Sequence, residues 1–75
     1  MAKLPVVSGW EIIKYLSKRE FYTSRTRGSH VILKSKDNTR TVPVPLHETL
    51  DRGTLGNILS LAGIDRDEFI DEWNK

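Results

Sequence analysis

The sequence predicts an α+β fold with elements in the order α-β-β-β-α-α, in which helices pack on one face of a three-stranded antiparallel sheet. Three observations lead to this class. Ser8 and Glu11 have the spacing of a helix-capping box. Two runs rich in β-branched and aromatic residues flank the dipeptide Gly28-Ser29. Gly63 follows an apolar stretch of helical periodicity, as expected for a helix C-terminus.

The first helix should extend from about Gly9 to Lys18. In a capping box, the Ser8 hydroxyl accepts a hydrogen bond from the third helical N–H, and the Glu11 carboxylate reaches back to the Ser8 N–H. Apolar residues recur at three-to-four-residue spacing and predict a buried stripe. The stripe comprises Trp10, Ile13 and Leu16, flanked by Ile12. We therefore expect Trp10 to lie in the core.

The next elements should form a hairpin of strands 21–27 and 30–36, closed at Gly28-Ser29 by a type II′ turn, because glycine tolerates the positive φ of the first central position. This register sets Arg27 opposite His30, Thr26 opposite Val31, Arg25 opposite Ile32 and Thr23 opposite Lys34. Side-chain alternation then defines two faces. One face carries Thr23, Arg25, Arg27, His30, Ile32 and Lys34, and the other carries Ser24, Thr26, Val31 and Leu33. Strict alternation would put Phe21 on the charged face, so either the strand begins after Phe21 or a β-bulge changes the alternation.

A turn at Asp37-Asn38 should lead to a third strand, 40–44. Pro43 has no N–H to donate, which places this strand at the sheet edge. The strand that begins at His30 is then central.

Two helices should follow the sheet. Thr54 is a possible cap for the first, which carries Leu55, Ile58, Leu59 and Ala62 and ends at Gly63 in a left-handed conformation. Acidic residues in the segment 65–68 favour the positive end of the last helix. Phe69, Ile70 and Trp73 can then cover one side of the core.

Composition limits the function classes. A chain of 75 residues predicts a single domain, 1–75, too small for a large internal active-site cavity. The absence of cysteine excludes disulfides and thiol chemistry, and no apolar run is long enough for a membrane span or signal peptide, so we expect a cytoplasmic protein with no membrane contact.

Charge is distributed unevenly along the chain. Residues 1–45 hold nine Lys/Arg and three Asp/Glu, a balance of +6, whereas residues 46–75 hold three and seven, a balance of −4. The basic half contains the hairpin. An anionic partner should therefore approach there, and a histidine among arginines and a lysine at the hairpin tip can meet a phosphodiester. Charge alone fits equally well with basic residues that only solvate a small sheet.

Three segments in this order resemble the HicA-type toxins, the mRNA-cleaving halves of bacterial toxin–antitoxin pairs. They are Ser8 with Glu11-Ile12-Ile13-Lys14-Tyr15-Leu16, the turn Arg27-Gly28-Ser29-His30, and Val42-Pro43-Val44-Pro45-Leu46-His47 followed by Gly53-Thr54-Leu55, Ile58-Leu59 and Ala62-Gly63-Ile64. The resemblance implies a fold like a double-stranded-RNA-binding domain, ribonuclease activity centred on His30, and a HicB-type antitoxin as partner. One departure is Glu20, where the family usually has glycine.

Cleavage of RNA needs groups that move protons and cations that bind phosphate, because the 2′-hydroxyl is itself the nucleophile. Histidine suits either proton role because an imidazole ordinarily titrates near pH 6.5. We assign His30 to proton transfer, without choosing between acid and base. The predicted RNA-binding residues are Arg25, Arg27, Gly28, Ser29 and Lys34.

His47 is a possible second proton-transfer residue. Alternatively, its side chain hydrogen-bonds the backbone near Pro45 and helps to seat the second helix. Two separated histidines without a carboxylate cluster fall short of a metal site, so we expect neither metal nor cofactor.

A second hypothesis is a non-catalytic RNA-binding module of the double-stranded type. Such modules usually carry a lysine cluster at the start of the second helix. The segment 53–57 has no lysine, which weakens this alternative and favours single-stranded or flexible RNA.

Overall fold

The computed structural model describes residues 3–74, and its elements follow the predicted order. They are α1 (Gly9–Ser17), β1 (Phe21–Arg27), β2 (His30–Ser35), β3 (Thr41–Pro45), α2 (Arg52–Ala62) and α3 (Arg66–Trp73). The strands form one antiparallel sheet in the order β1-β2-β3, so the strand that begins at His30 is central, as predicted. Among residues 3–74, no helix has the length and apolar character needed to cross a bilayer.

The capping box of α1 is confirmed, but the prediction that Trp10 lies in the core is wrong. The Glu11 N–H donates to Ser8 Oγ at 3.1 Å, and the Ser8 N–H donates to Glu11 Oε1 at 2.9 Å. The inward face of α1 carries Gly9, Ile12 and Leu16, whereas Trp10 is 54% exposed. Gly9 packs directly on the backbone of Pro45. This close approach turns the helix so that Trp10 points to solvent.

A β-bulge in β1 explains why Phe21 did not fit the alternation. Phe21 pairs with Ser35 and Thr23 with Leu33, whereas Arg25 pairs with Ile32, which leaves Ser24 as the extra residue. The predicted pairing of Thr23 with Lys34 is therefore wrong, because Tyr22 is the partner of Lys34. Beyond the bulge the register is as predicted, with Arg27 opposite His30.

The turn between β2 and β3 is organised by Asp37. Its Oδ1 accepts hydrogen bonds from the hydroxyls of Ser35 at 2.6 Å and Thr39 at 2.7 Å, and from the Thr39 N–H at 3.1 Å. These bonds lower the pKa of Asp37 to about 2. β3 pairs only with β2, so Pro43 lies on an edge strand, as predicted.

The last two helices begin at aspartates. Asp51, not Thr54, is the N-cap of α2, and its carboxylate accepts from the Thr54 N–H at 2.7 Å. Gly63 ends α2 at φ 72°, the left-handed conformation predicted for it. Asp65 caps α3 by accepting from the N–H groups of residues 67 and 68.

The core lies between the sheet and the helices. Its fully buried side chains come from one face of β2 and β3, from all three helices and from the segment before α1. They include Val7, Ile12, Leu16, Leu33, Val42, Val44, Leu55, Leu59 and Phe69. Tyr15 of α1 packs edge-on against Phe69, with ring centroids 4.9 Å apart, and donates to Glu72 Oε1 at 2.7 Å. Arg19 bonds both Glu68 and Glu72. These contacts hold the C-terminal end of α1 and the residue Arg19 that follows it against α3.

Glu20 has a φ of 69°, in the left-handed region that favours glycine. A side chain there costs about 1–2 kcal/mol, and the exposed Lys36–Glu20 ion pair, at 3.0 Å, offsets little of this. We therefore expect Glu20→Gly to raise the free energy of unfolding by about 1 kcal/mol. Urea denaturation measures this, with Glu20→Ala as the control, because alanine removes the ion pair and keeps the Cβ. Equal stabilities for the glycine and alanine variants would contradict the strain.

Candidate functional site

One face of the sheet is not covered by helices, and we call it the open face. In β2 and β3 its residues alternate with buried positions, and in β1 they are the cross-strand partners of the β2 residues on this face. They are Tyr22, Arg25 and Arg27 of β1, His30, Ile32 and Lys34 of β2, and Thr41 and Pro43 of β3. The structure thus brings Arg25, Arg27, His30 and Lys34 to one surface. It places Thr23, which was expected there, on the opposite side of the bulged strand.

His30 is the first residue of β2 and is exposed. The preceding turn has Gly28 at φ 58°, and Ser29 keeps a negative φ, the combination that a type II′ turn requires. A Cβ on Gly28 would meet no described atom within 4 Å. Glycine is therefore favoured there by backbone conformation and not by space. The turn sets the His30 side chain beside that of Arg27, its cross-strand partner.

The cations of the open face have no carboxylate partners among residues 3–74. The ion pairs in that part of the chain are made by Arg19, with two glutamates, and by Lys36. Arg25, Arg27 and Lys34 make no ion pair with any described residue. Their positive charge is therefore available to an anion from outside the protein.

A shallow groove of about 340 Å³ begins at His30 and passes around the β3 edge to α2. His47 lines the same groove. Its lining consists of His30, Pro43, Pro45, His47, Asp51, Thr54, Asn57, Ile58 and Leu61.

Two backbone hydrogen bonds hold His47 at this groove. The Leu46 N–H donates to the Ser29 carbonyl at 2.7 Å, and the Gly9 N–H donates to the His47 carbonyl at 2.9 Å. The His47 side chain itself is exposed and makes no hydrogen bond within the described part of the chain. The connection from β3 to α2 is thus seated by the His47 backbone, and its imidazole is free to act on a ligand.

The α2 wall of the groove does not attract anions. Hydrogen bonds from Thr54 lower the pKa of Asp51, so this carboxylate is negative at neutral pH. The sole basic residue of α2 is Arg52. A phosphate should therefore reach His30 from the open face and not along α2.

Within the hairpin, Tyr22 is the residue of the open face that the sequence analysis did not identify. Unbroken alternation from Arg25 puts Tyr22 on the other face. The apolar Phe21 was the sequence signal for this position. A bulge that moves Phe21 into the core also moves its neighbour Tyr22 to the charged face. The Tyr22 side chain is 41% exposed.

Over residues 3–74, no three histidine or carboxylate side chains cluster closely enough to hold a metal ion. His30, His47 and Asp51 share the groove without forming such a cluster. The groups that the site offers for chemistry are imidazole, guanidinium and ammonium groups.

Comparison with known proteins identifies the family. No curated protein and no solved structure matches the chain significantly. The model of the family described as the HicA toxin of bacterial toxin–antitoxin systems matches residues 9–64, from the start of α1 to the residue after Gly63. This span contains the whole sheet, both histidines and α2. The chain therefore belongs to the HicA toxin family of bacterial toxin–antitoxin systems.

Proposed function

We propose that this toxin is a metal-independent endoribonuclease that cleaves messenger RNA in the bacterial cytoplasm and is neutralised by a HicB-type antitoxin. The observation that carries the proposal is the position of His30. It is exposed at a hairpin tip, on the face that the helices leave open, beside guanidinium groups that have no carboxylate partners within residues 3–74. Family membership supports the same activity.

The reaction is an internal transesterification. The 2′-oxygen attacks the adjacent phosphorus, the bond from phosphorus to the 5′-oxygen breaks, and one fragment ends in a 2′,3′-cyclic phosphate. One group must take the proton from the 2′-hydroxyl, and another must give a proton to the 5′-oxygen. No external nucleophile or metal is needed for the bonds to balance.

His30 performs one of these two proton transfers. His47 is the candidate for the other, because it lines the same groove and the backbone bonds at residues 46 and 47 fix its position. Imidazole groups serve as acid or base near neutral pH, and one such group typically contributes roughly 10²- to 10⁴-fold in rate.

The cations bind the phosphates. Arg27, opposite His30, stabilises negative charge on the phosphorane, because guanidinium geometry suits two phosphate oxygens at once. Arg25 and Lys34 lie further along the open face and track the RNA backbone. The turn residues Gly28 and Ser29 bring the backbone close to the same phosphate.

The decisive experiment is incubation of the purified toxin with single-stranded RNA in the presence of EDTA. We expect cleavage to continue unchanged and the new fragments to carry 5′-hydroxyl and 2′,3′-cyclic phosphate ends. Loss of cleavage that Mg²⁺ restores would contradict the metal-independent mechanism. Tight binding without any cleavage would instead establish the alternative, a non-catalytic RNA-binding module.

A further inference from the structure

We propose that Tyr22 is a stacking platform for an unpaired base of the RNA substrate. The proposal rests on the proposed function, since it names where a nucleotide flanking the cleaved bond is held. It also specifies the substrate as single-stranded at that nucleotide, because a base can stack on a side chain only when it is free of its own helix.

The Tyr22 ring is held in place before any ligand binds. Its hydroxyl donates to Asn38 Oδ1 at 2.7 Å, which ties the ring to the turn between β2 and β3. The side chain is nevertheless 41% exposed. An aromatic ring that is already oriented loses little conformational entropy when a base stacks on it.

The surroundings of Tyr22 suit a nucleotide. Its cross-strand partner is Lys34, and Arg25 lies next on the same face of β1. Sites for single-stranded nucleic acid combine an aromatic ring, on which a base stacks, with nearby cations that bind the phosphates. Ile32 and Pro43 continue the apolar surface of the open face.

The distance to His30 fits a flanking nucleotide. Lys34 lies four residues beyond His30 on β2, which corresponds to about 13 Å at the rise of a strand. Tyr22 is therefore too far from His30 to touch the cleaved phosphate. It contributes affinity and position, not proton transfer.

Affinity for a short single-stranded RNA tests the proposal, measured in a His30→Ala background so that the RNA stays intact. We expect Tyr22→Ala and Tyr22→Leu to weaken binding about tenfold and Tyr22→Phe to retain most of the affinity, because stacking needs the ring and not the hydroxyl. Trp10→Ala is the matched control. It removes an aromatic ring that is 54% exposed but lies on α1, and it should leave RNA affinity unchanged.

Two further measurements separate stacking from a role in the fold. Tyr22→Trp, in a Trp10→Phe background, should bind RNA at least as tightly as the parent and lose fluorescence when RNA is added. Trp10→Phe alone, which keeps Trp73, should show no such loss. With His30 intact, Tyr22→Ala should raise KM and change kcat little. Unchanged affinity in both Tyr22→Ala and Tyr22→Leu would overturn the proposal, as would a loss of antitoxin binding without a loss of RNA binding.

The two proposals fail in different ways. If the parent toxin cleaves RNA and Tyr22→Ala has the same KM, the stacking site is wrong and the nuclease assignment stands. If the parent neither binds nor cleaves RNA, both are wrong.

Discussion

Replacing His30 with alanine should lower the rate of RNA cleavage by at least about 100-fold and remove toxicity in cells. In the proposed mechanism the imidazole beside Arg27 transfers a proton, and an alanine methyl group cannot do so. The fold should survive, because the side chain is exposed and the hairpin depends on Gly28 and not on His30. Cleavage is measured on purified protein under single-turnover conditions, and toxicity by growth after induction.

RNA affinity distinguishes a catalytic His30 from one that only binds. Arg25, Arg27 and Lys34 remain in the alanine variant, so most of the affinity should remain. Thr26→Ala is the matched control, since Thr26 is an exposed residue of the same hairpin, paired with Val31 and not on the open face. It should cleave like the parent. Equal cleavage by His30→Ala and Thr26→Ala would rule out the catalytic assignment.

The hairpin shows how far local chemistry determines the site. Gly28-Ser29 closes two β-like runs, and that dipeptide alone gives the correct pairing of Arg27 with His30 and of Arg25 with Ile32. Turn geometry propagates along the strands until a residue is inserted. The face that carries His30 was therefore predictable for the half of the hairpin nearest the turn.

Beyond the bulge at Ser24, counting from the turn, the predicted pairing no longer holds. The presence of a bulge was indicated by Phe21, whose apolar ring had to leave a charged face, but no local rule says which residue of the strand is extra. That choice depends on how Phe21 packs in the core and on the partners across β2. Strict alternation therefore puts Thr23 on the open face and Tyr22 on the other, whereas the structure shows the reverse.

That His30 and His47 line one groove could not be predicted from the sequence, for a different reason. His30 and His47 are seventeen residues apart in the chain, and they share a groove because β3 pairs with β2 and because the bonds at Leu46 and His47 fix the segment after β3. Periodicity and turn preferences describe neighbours along the chain. Contacts between the end of one strand and the start of a distant helix depend on how the finished elements pack.

The position of Trp10 also depends on packing between distant elements, here the contact of Gly9 with the end of β3. A substitution at Gly9 should therefore have a large effect. Gly9→Ala should lower the free energy of unfolding by more than about 2 kcal/mol. A Cβ on Gly9 would lie 2.0 Å from the carbonyl oxygen of Pro45 and 3.2 Å from the Cα of Leu46. Both are backbone atoms, so no side-chain rotation relieves the clash. The start of α1 must move away from the chain that follows β3.

That movement should also reduce activity, because it breaks the hydrogen bond from the Gly9 N–H to the His47 carbonyl and frees the segment that lines the groove.

Gly56→Ala is the matched control. Gly56 lies inside α2, and its Cβ would meet only Leu4 Cδ1, at 3.9 Å.

Helix propensity favours alanine over glycine by roughly 0.5–1 kcal/mol, so the control should become more stable. Urea unfolding of the two variants should thus shift in opposite directions. A Gly9→Ala protein as stable as the parent would show that α1 does not need the close approach to β3 that turns Trp10 outward and fixes His47.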